Sequence, residues 1–358
     1  MAKLFESISI RGKTSRNRIW IAPMCQYSCE HQDGVPGQWH LVHLGSRALG
    51  GAGLVMCEAT AVHPDGRISL WDTGIWNDDQ AAAWVEVTNF IRQAGSLSAI
   101  QLAHAGRKAS IYRSWSGEGA MGLSVGGWEP VSATSEAFPG YNTPKELTTA
   151  EVYDSIDDWV QAAKRSVAAG FDVLEIHAAH GYLVHQFLSP ITNNRTDEFG
   201  GSVANRAKYL VDIVSGIRAA VGEDVPLLVR FSATDYRADG FTLTQCAEVA
   251  KLCEAAGADL FDISSGGIVL GVQIPTGPGY QVPLAKEMAD EVSSPVATVG
   301  QITDAKQAEE ILQSTNIDVI MIGRASLRDP YWPLRAAHEL GVEVDYWPNQ
   351  YSRGKYPS

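Results

Sequence analysis

The sequence predicts an α/β chain folded as one (β/α)8 barrel, a TIM barrel, carrying a long loop insertion and a C-terminal tail. Three observations carry that expectation. Short apolar runs recur along the chain, and most end in polar residues. Amphipathic helical stretches separate them, several of them stopping on glycine. The runs are nearly continuous in apolar residues, which marks strands buried on both faces and hence a parallel sheet. Eight strand–helix units favour a closed barrel over an open doubly wound sheet.

The first run is RIWIAP (18–23), followed by GGAGLVMCEAT (50–60) and QAGSLSAIQLAH (93–104). The fourth, AAGFDVLEIHAAH (168–180), follows the clearest helix, TTAEVYDSIDDWVQAAKRSVAAG (148–170). That helix has Thr148 as cap, Glu151 in its first turn and Gly170 as stop. VGEDVPLLVRFS (221–232), AAGADLFDISSGG (255–267), SSPVATVG (293–300) and STNIDVIMIGR (314–324) complete the set. Cys246 and Cys253, seven apart, share one face of a helix and are read as core. Two stretches stand outside the unit. Residues 107–147, rich in Gly, Ser, Trp and Pro, separate strand three from its helix, and residues 341–358 form an aromatic tail. The domain expectation is thus a barrel over 1–340 with the insertion at 107–147, then the tail at 341–358.

Composition narrows the function. The chain has 358 residues, and 28 Lys and Arg against 41 Asp and Glu leave a net charge of −13. Nucleic acid or an anionic membrane as main partner needs a basic footprint, which is missing. No stretch approaches the ~18 apolar residues of a membrane span, and the N-terminus has no apolar signal segment. The five cysteines offer no framework spacing, which fits reduced thiols and a cytoplasmic location.

A barrel of this kind works at the C-terminal ends of its strands. Those ends carry Pro23-Met24-Cys25-Gln26-Tyr27, Glu58-Ala59-Thr60, Gln101 with His104, and HAAHGY with His177, His180 and Tyr182. Further round they carry Arg230, Ser264-Ser265-Gly266-Gly267, Gly300 and Gly323-Arg324. Gly300, Gly323 and Arg324, after strands seven and eight, suit a phosphate; glycine lets backbone N–H groups approach and arginine adds charge. Arg324 also reads as a rim salt bridge. For HAAHGY three readings stay open: two imidazoles hydrogen-bonding one carbonyl with a tyrosine to give a proton, a metal site, or structural histidines.

These residues resemble the old yellow enzyme family of FMN-dependent ene-reductases. The resemblance is carried by HAAHGYLVHQFLSPITNNRTDEFGGSVANR (177–206), NRIWIAPMCQYS (17–28), HLGSRALGGAGLVMCEAT (43–60), IQLAHAGRKA (100–109) and IGRASLRDPYWP (322–333). Cys25 after Pro23-Met24 is similar to the bacterial xenobiotic-reductase, or thermophilic-like, branch. The resemblance implies that the backbone at Ala22, Pro23, Met24, Cys25 and Ala59 lines the flavin. Gln101 would bind its pyrimidine edge, Arg230 would sit beside N1, and Gly300, Gly323 and Arg324 would hold the FMN phosphate. It further implies that NADPH or NADH supplies hydride and that His177 and His180 bind the oxygen of an activated alkene. Tyr182 would protonate the alkene and Cys25 would tune the flavin. Tyr27 and Lys108 would neighbour the substrate, and Arg353 would reach into the next subunit of a homodimer or homotetramer. An FMN barrel of other specificity, such as a dienoyl-thioester or nitro-compound reductase, is the runner-up. Outside redox chemistry, a phosphate-ligand-binding barrel and a zinc hydrolase remain open.

Overall fold

A computed structural model of the chain describes residues 2–356. Eight parallel strands close a barrel in chain order: β1 (Ile19–Ile21), β2 (Leu54–Ala61), β3 (Leu97–Ala103), β4 (Val173–Ala178), β5 (Leu227–Ser232), β6 (Leu260–Ser264), β7 (Val296–Thr298) and β8 (Val319–Ile322). The main outer helices are α1 (Gln38–Leu49), α2 (Asp78–Gln93), α3 (Thr149–Ala168), a short α4 (Leu183–Leu188), α5 (Val203–Val221) and α6 (Leu243–Ala256). They continue with α7 (Val282–Glu291), α8 (Ala305–Ser314), the one-turn α9 (Arg324–Arg328) and α10 (Trp332–Glu339). Among the described residues no helix is long and apolar enough to cross a membrane.

Successive strand side chains point to opposite faces, and both faces here meet apolar partners. Trp20, Leu54, Met56, Ala99, Val173, Leu228, Leu260, Ala297, Val319 and Met321 fill the barrel interior. Their neighbours Ile19, Ile21, Val55, Cys57, Leu227, Val229, Ile320 and Ile322 pack outward in a second core with the helices. Two apolar layers explain why the runs do not alternate in sequence. Cys246 and Cys253 are fully buried in the outer core, as their spacing on α6 predicts.

Towards the C-terminal ends the interior positions change character. Two residues beyond Ala99, Val173, Leu228 and Leu260 stand Gln101, Glu175, Arg230 and Asp262, all buried. The register sets Gln101 beside Glu175 and Arg230 beside Asp262. A polar layer thus rests on an apolar one, and the functional end of the barrel begins there. The opposite end is closed by a hairpin of Ile8–Ile10 and Lys13–Ser15 that packs Ile8 and Ile10 under the interior. Its turn takes Arg11 and Gly12 at positive φ (44° and 78°).

Five of these helices, α2, α3, α5, α6 and α8, start on a side-chain cap. Thr148 Oγ1 accepts from Glu151 N–H at 3.2 Å while Glu151 accepts from Thr148 N–H at 2.9 Å, a reciprocal box at the head of α3. Asn77, Ser202, Thr242 and Asp304 cap α2, α5, α6 and α8.

Two expectations need correction. The first strand is shorter than 18–23, because Pro23 has no N–H to continue the ladder and pairing stops near Ala22. The seventh shrinks to Val296–Thr298. The tail packs back on the barrel: Tyr346 lies under Arg16 at 4.3 Å and its hydroxyl accepts from Asn17 Nδ2 at 3.1 Å. Tyr356 stacks on His338 of α10 with centroids 4.5 Å apart. The 107–147 insertion contains a two-residue parallel pairing of Val131–Ser132 with Lys145–Glu146 and a single antiparallel bridge between Ile111 and Ala120, besides 3-10 turns.

Candidate active site

The C-terminal face of the barrel holds a cavity of about 500 Å3, within the ~300–1,000 Å3 usual for small-molecule sites. Strand ends from opposite sides of the barrel line it: Met24, His180, Arg230, Gly300, Gly323 and Arg324 are among its walls. Ala22 and Pro23 also line it. Ala59, buried, follows the irregularity in β2 where pairing with β3 shifts between Cys57 and Ala59.

His177 ends β4 as an interior residue. Ala179 N–H donates to its Nδ1 at 3.2 Å, which leaves Nε2 to carry the ring proton. That Nε2 lies 3.4 Å from His180 Nδ1, and the two rings stand perpendicular with centroids 5.1 Å apart. His180 Nε2 is 2.8 Å from Ser264 Oγ. Burial, then the positive charge of Arg230, pushes both imidazoles well below their usual range, so both are neutral N–H donors. Tyr182 stands edge-on to His177, centroids 5.0 Å apart. Burial pushes its phenol well above the usual range, so it holds its proton.

Cys25 and Tyr27 stand with Tyr182 in one small apolar cluster around Ile68, Ala105 and Ala109. Burial, then nearby Asp72 and Glu58, raises the Cys25 thiol, which is therefore not a thiolate. Tyr27 takes φ 51° and packs edge-on to Trp115. Lys108 Nζ donates to His180 O at 2.9 Å and to Gly267 O, and it lies 5.9 Å from the Tyr182 ring centre. Burial and neighbouring Arg107 bring its ammonium down to about 8.

Gln101 Nε2 donates to Glu175 Oε1 at 2.7 Å, so the other end of the amide, Oε1, is left as an acceptor. Arg230 Nε is 3.0 Å from Asp262 Oδ2. Arg230 is thus both a cavity wall and the partner of a buried carboxylate. Burial raises Glu175 and Asp262 together, with Arg230 opposing it. At the other end Gly300 needs its glycine: φ is 129°, and a Cβ would come within 2.9 Å of the Tyr280 ring. A Cβ on Gly323 would meet nothing nearer than Met24 Sδ at 3.8 Å, so its backbone is open to the cavity. Arg324 is exposed and, among the described residues, has no carboxylate within salt-bridge distance.

An exposed, uncommitted guanidinium, a buried one and open glycine backbone on the walls of one cavity suit a ligand that carries an anionic group. Flavin mononucleotide fits that donor set. Arg353 lies in the exposed Asn349–Gly354 turn and lines no part of its own chain's cavity.

Glu175, Asp262, Ser232 and Ser264 went unremarked or unweighted in the sequence. The signal was present: Glu175 and Ser232 sit two residues from His177 and Arg230 on the same inward faces, and Asp262 and Ser264 repeat that step on the next strand. Asp235 and His185 also escaped notice, since they meet only in the folded chain.

Fold and cavity together define a (β/α)8 barrel whose C-terminal face carries a pocket of small-molecule size. Residues 3–343 match the model of the NADH:flavin oxidoreductase / NADH oxidase family. The chain is 43% identical to an NADPH dehydrogenase of Geobacillus thermodenitrificans over 351 residues, 98% of each chain. Among solved structures it is similar to the old yellow enzyme homologue of Zymomonas mobilis (TM-score 0.79, 27% identity, 99% of each chain). It also superposes on a 2-naphthoyl-CoA reductase complex (TM-score 0.86, 30% identity), covering 95% of this chain and 52% of that one. The chain belongs to the NADH:flavin oxidoreductase family, the old yellow enzyme family, and is an NAD(P)H-dependent flavin oxidoreductase.

Proposed function

We propose that the protein is an FMN-dependent NAD(P)H:alkene oxidoreductase that reduces the C=C bond of α,β-unsaturated carbonyls or nitroalkenes. One observation carries the reading: two neutral imidazoles and a protonated phenol share one turn beside a cavity flanked by two arginines. Bound FMN would take hydride from NADPH or NADH and return it to the alkene.

The residues divide the remaining work. His177 and His180 donate hydrogen bonds to the carbonyl or nitro oxygen and hold the negative charge that develops there. Donors aimed at such charge typically contribute ~2–4 kcal/mol each. Neutral rings suit this role, because an imidazolium would surrender its proton rather than share it. Tyr182 gives its proton to the carbon next to the activating group. A phenol is a weak acid, yet it serves here because the carbon that receives the proton is strongly basic. Ala22, Pro23, Met24, Cys25 and Ala59 line the flavin, with Gln101 Oε1 free to accept from a ring N–H. Arg230 balances negative charge on the ring, and Gly300, Gly323 and Arg324 hold the phosphate. Tyr27 and Lys108 bound the substrate space.

Arg353, exposed and outside the lining of its own cavity, serves a neighbouring copy in a homodimer or homotetramer. Truncation after Asn349 tests that part by its effect on substrate kinetics and on mass in solution.

The deciding experiment is NADPH oxidation with and without 2-cyclohexen-1-one, run on purified protein. Yellow protein, FMN released on denaturation and enone-dependent turnover are expected. Protein that stays colourless in excess FMN, or turnover indifferent to a panel of enones, nitroalkenes and maleimides, overturns the reading.

A further inference from the structure

The turn that joins the two histidines to Tyr182 has no ladder or helix to hold it, yet each of its amides is spoken for. Ala179 N–H donates to His177 Nδ1, and His180 N–H to Ser232 Oγ at 2.9 Å. Gly181 N–H donates to His185 Nδ1 at 2.9 Å. Tyr182 N–H reaches Ala179 O at 3.2 Å and Leu183 N–H reaches His104 O at 2.9 Å. Gly181 is gripped at both ends, for its carbonyl accepts from Gln186 Nε2 at 2.7 Å. This matters because the turn is strained. His180 and Gly181 take φ of 58° and 75° in succession, and Gly267 O lies only 2.3 Å from where a Gly181 Cβ would be.

His185 can accept from Gly181 only while its Nδ1 is unprotonated. Its Nε2 lies 3.0 Å from Asp235 Oδ1, which places the proton on the far side of the ring. Asp235 is itself held: its other oxygen accepts from Ser189 Oγ at 2.6 Å and from Phe241 N–H at 2.7 Å. His185, Gln186 and Asp235 are all fully buried and stand outside the lining of the cavity, behind the turn rather than on its open side. Gln186 is equally committed. Its Oε1 accepts from Ser132 Oγ at 2.8 Å, which ties the insertion to the same point.

We propose that His185, set in one tautomer by Asp235, and Gln186 are positioning residues that lock the Gly181 peptide. Through that peptide they set where the Tyr182 hydroxyl meets substrate. The inference rests on the alkene-reduction reading for what Tyr182 does, but the lock itself is a property of the fold.

The test compares His185→Leu, which removes the acceptor, with His185→Asn, whose Oδ1 can stand near the place of Nδ1. Stopped-flow measures flavin reduction by NADPH and flavin reoxidation by 2-cyclohexen-1-one separately. In His185→Leu the reoxidation step falls about 100-fold, the loss expected of a reacting group displaced by about 1 Å. His185→Asn regains most of it. In a Tyr182→Phe background His185→Leu has no further effect on reoxidation, because the group it positions is already gone. Amide exchange of residues 179–183 speeds up in His185→Leu and not in His185→Asn. If His185→Leu does not fold, Asp235→Asn replaces it. An Asn N–H facing Nε2 moves the ring proton to Nδ1 and turns the lock against Gly181. Equal slowing of both half-reactions, additive loss in the Tyr182→Phe background, or unchanged exchange overturns the proposal. Wild-type protein that reduces no activated alkene overturns the functional reading instead, and the exchange comparison still judges the lock.

Discussion

Replacing Tyr182 by phenylalanine separates chemistry from packing more cleanly than any other change at this site. The ring stands edge-on to His177 at 5.0 Å, and phenylalanine keeps that contact. Among the described residues no hydrogen bond contributes to the environment of its hydroxyl, so none is broken by the change. Stability should therefore move by about 1 kcal/mol or less. The phenol's proton is another matter. A positioned general acid typically contributes 10²–10⁴-fold, and at 1.36 kcal/mol per tenfold this raises the barrier to alkene reduction by about 3–5 kcal/mol. Flavin reduction by NADPH needs no proton from Tyr182 and should stay within about threefold of wild type, well under 1 kcal/mol. Stopped-flow of the two half-reactions, with thermal unfolding as control, measures all three quantities. A variant as stable as wild type whose two half-reactions fall together refutes the assignment. So does one whose alkene step is untouched.

Two further outcomes follow from the same geometry. Arg324→Ala should weaken FMN by about tenfold, the lower end of a charge-assisted hydrogen bond because Arg324 is exposed; riboflavin, which lacks the phosphate, should bind both proteins alike in a fluorescence titration. Glu151 at the head of α3 is held down to about 2, first by the hydrogen bond from Lys145 and then by those from Thr148, against an ordinary value of 4.5. Its contribution to stability is present above pH 4.5 and fades as pH falls through 2. Glu151→Gln should accordingly flatten the acid limb of the unfolding-midpoint curve, and an unchanged slope would exclude that role.

The eight strands were readable because strand burial is written locally: each run had to satisfy an apolar interior and an apolar helix layer at once. The helix caps were readable for the same reason, since Thr148 and Glu151 meet within one turn. His177, His180 and Tyr182 could be paired on paper because they lie on a single turn of chain. Their company could not. Gln101 and Glu175 are 74 residues apart, as are no two members of any local motif, and they touch only because β3 and β4 pair in one register.

What the sequence determined by itself is the strands: nearly continuous apolar runs, with chemistry-bearing residues at their ends and a net charge of −13 that leaves the site to a few arginines. What only the tertiary structure decided is which of those ends face one another. Closure of the barrel turned Arg230 toward Asp262 as well as the cavity, left Arg324 uncommitted, and brought Asp235 of the β5 loop under His185. The physical reason is range. A two-residue alternation is set by the geometry of each strand alone, whereas a contact between distant strands exists only once the register of the whole ring is fixed.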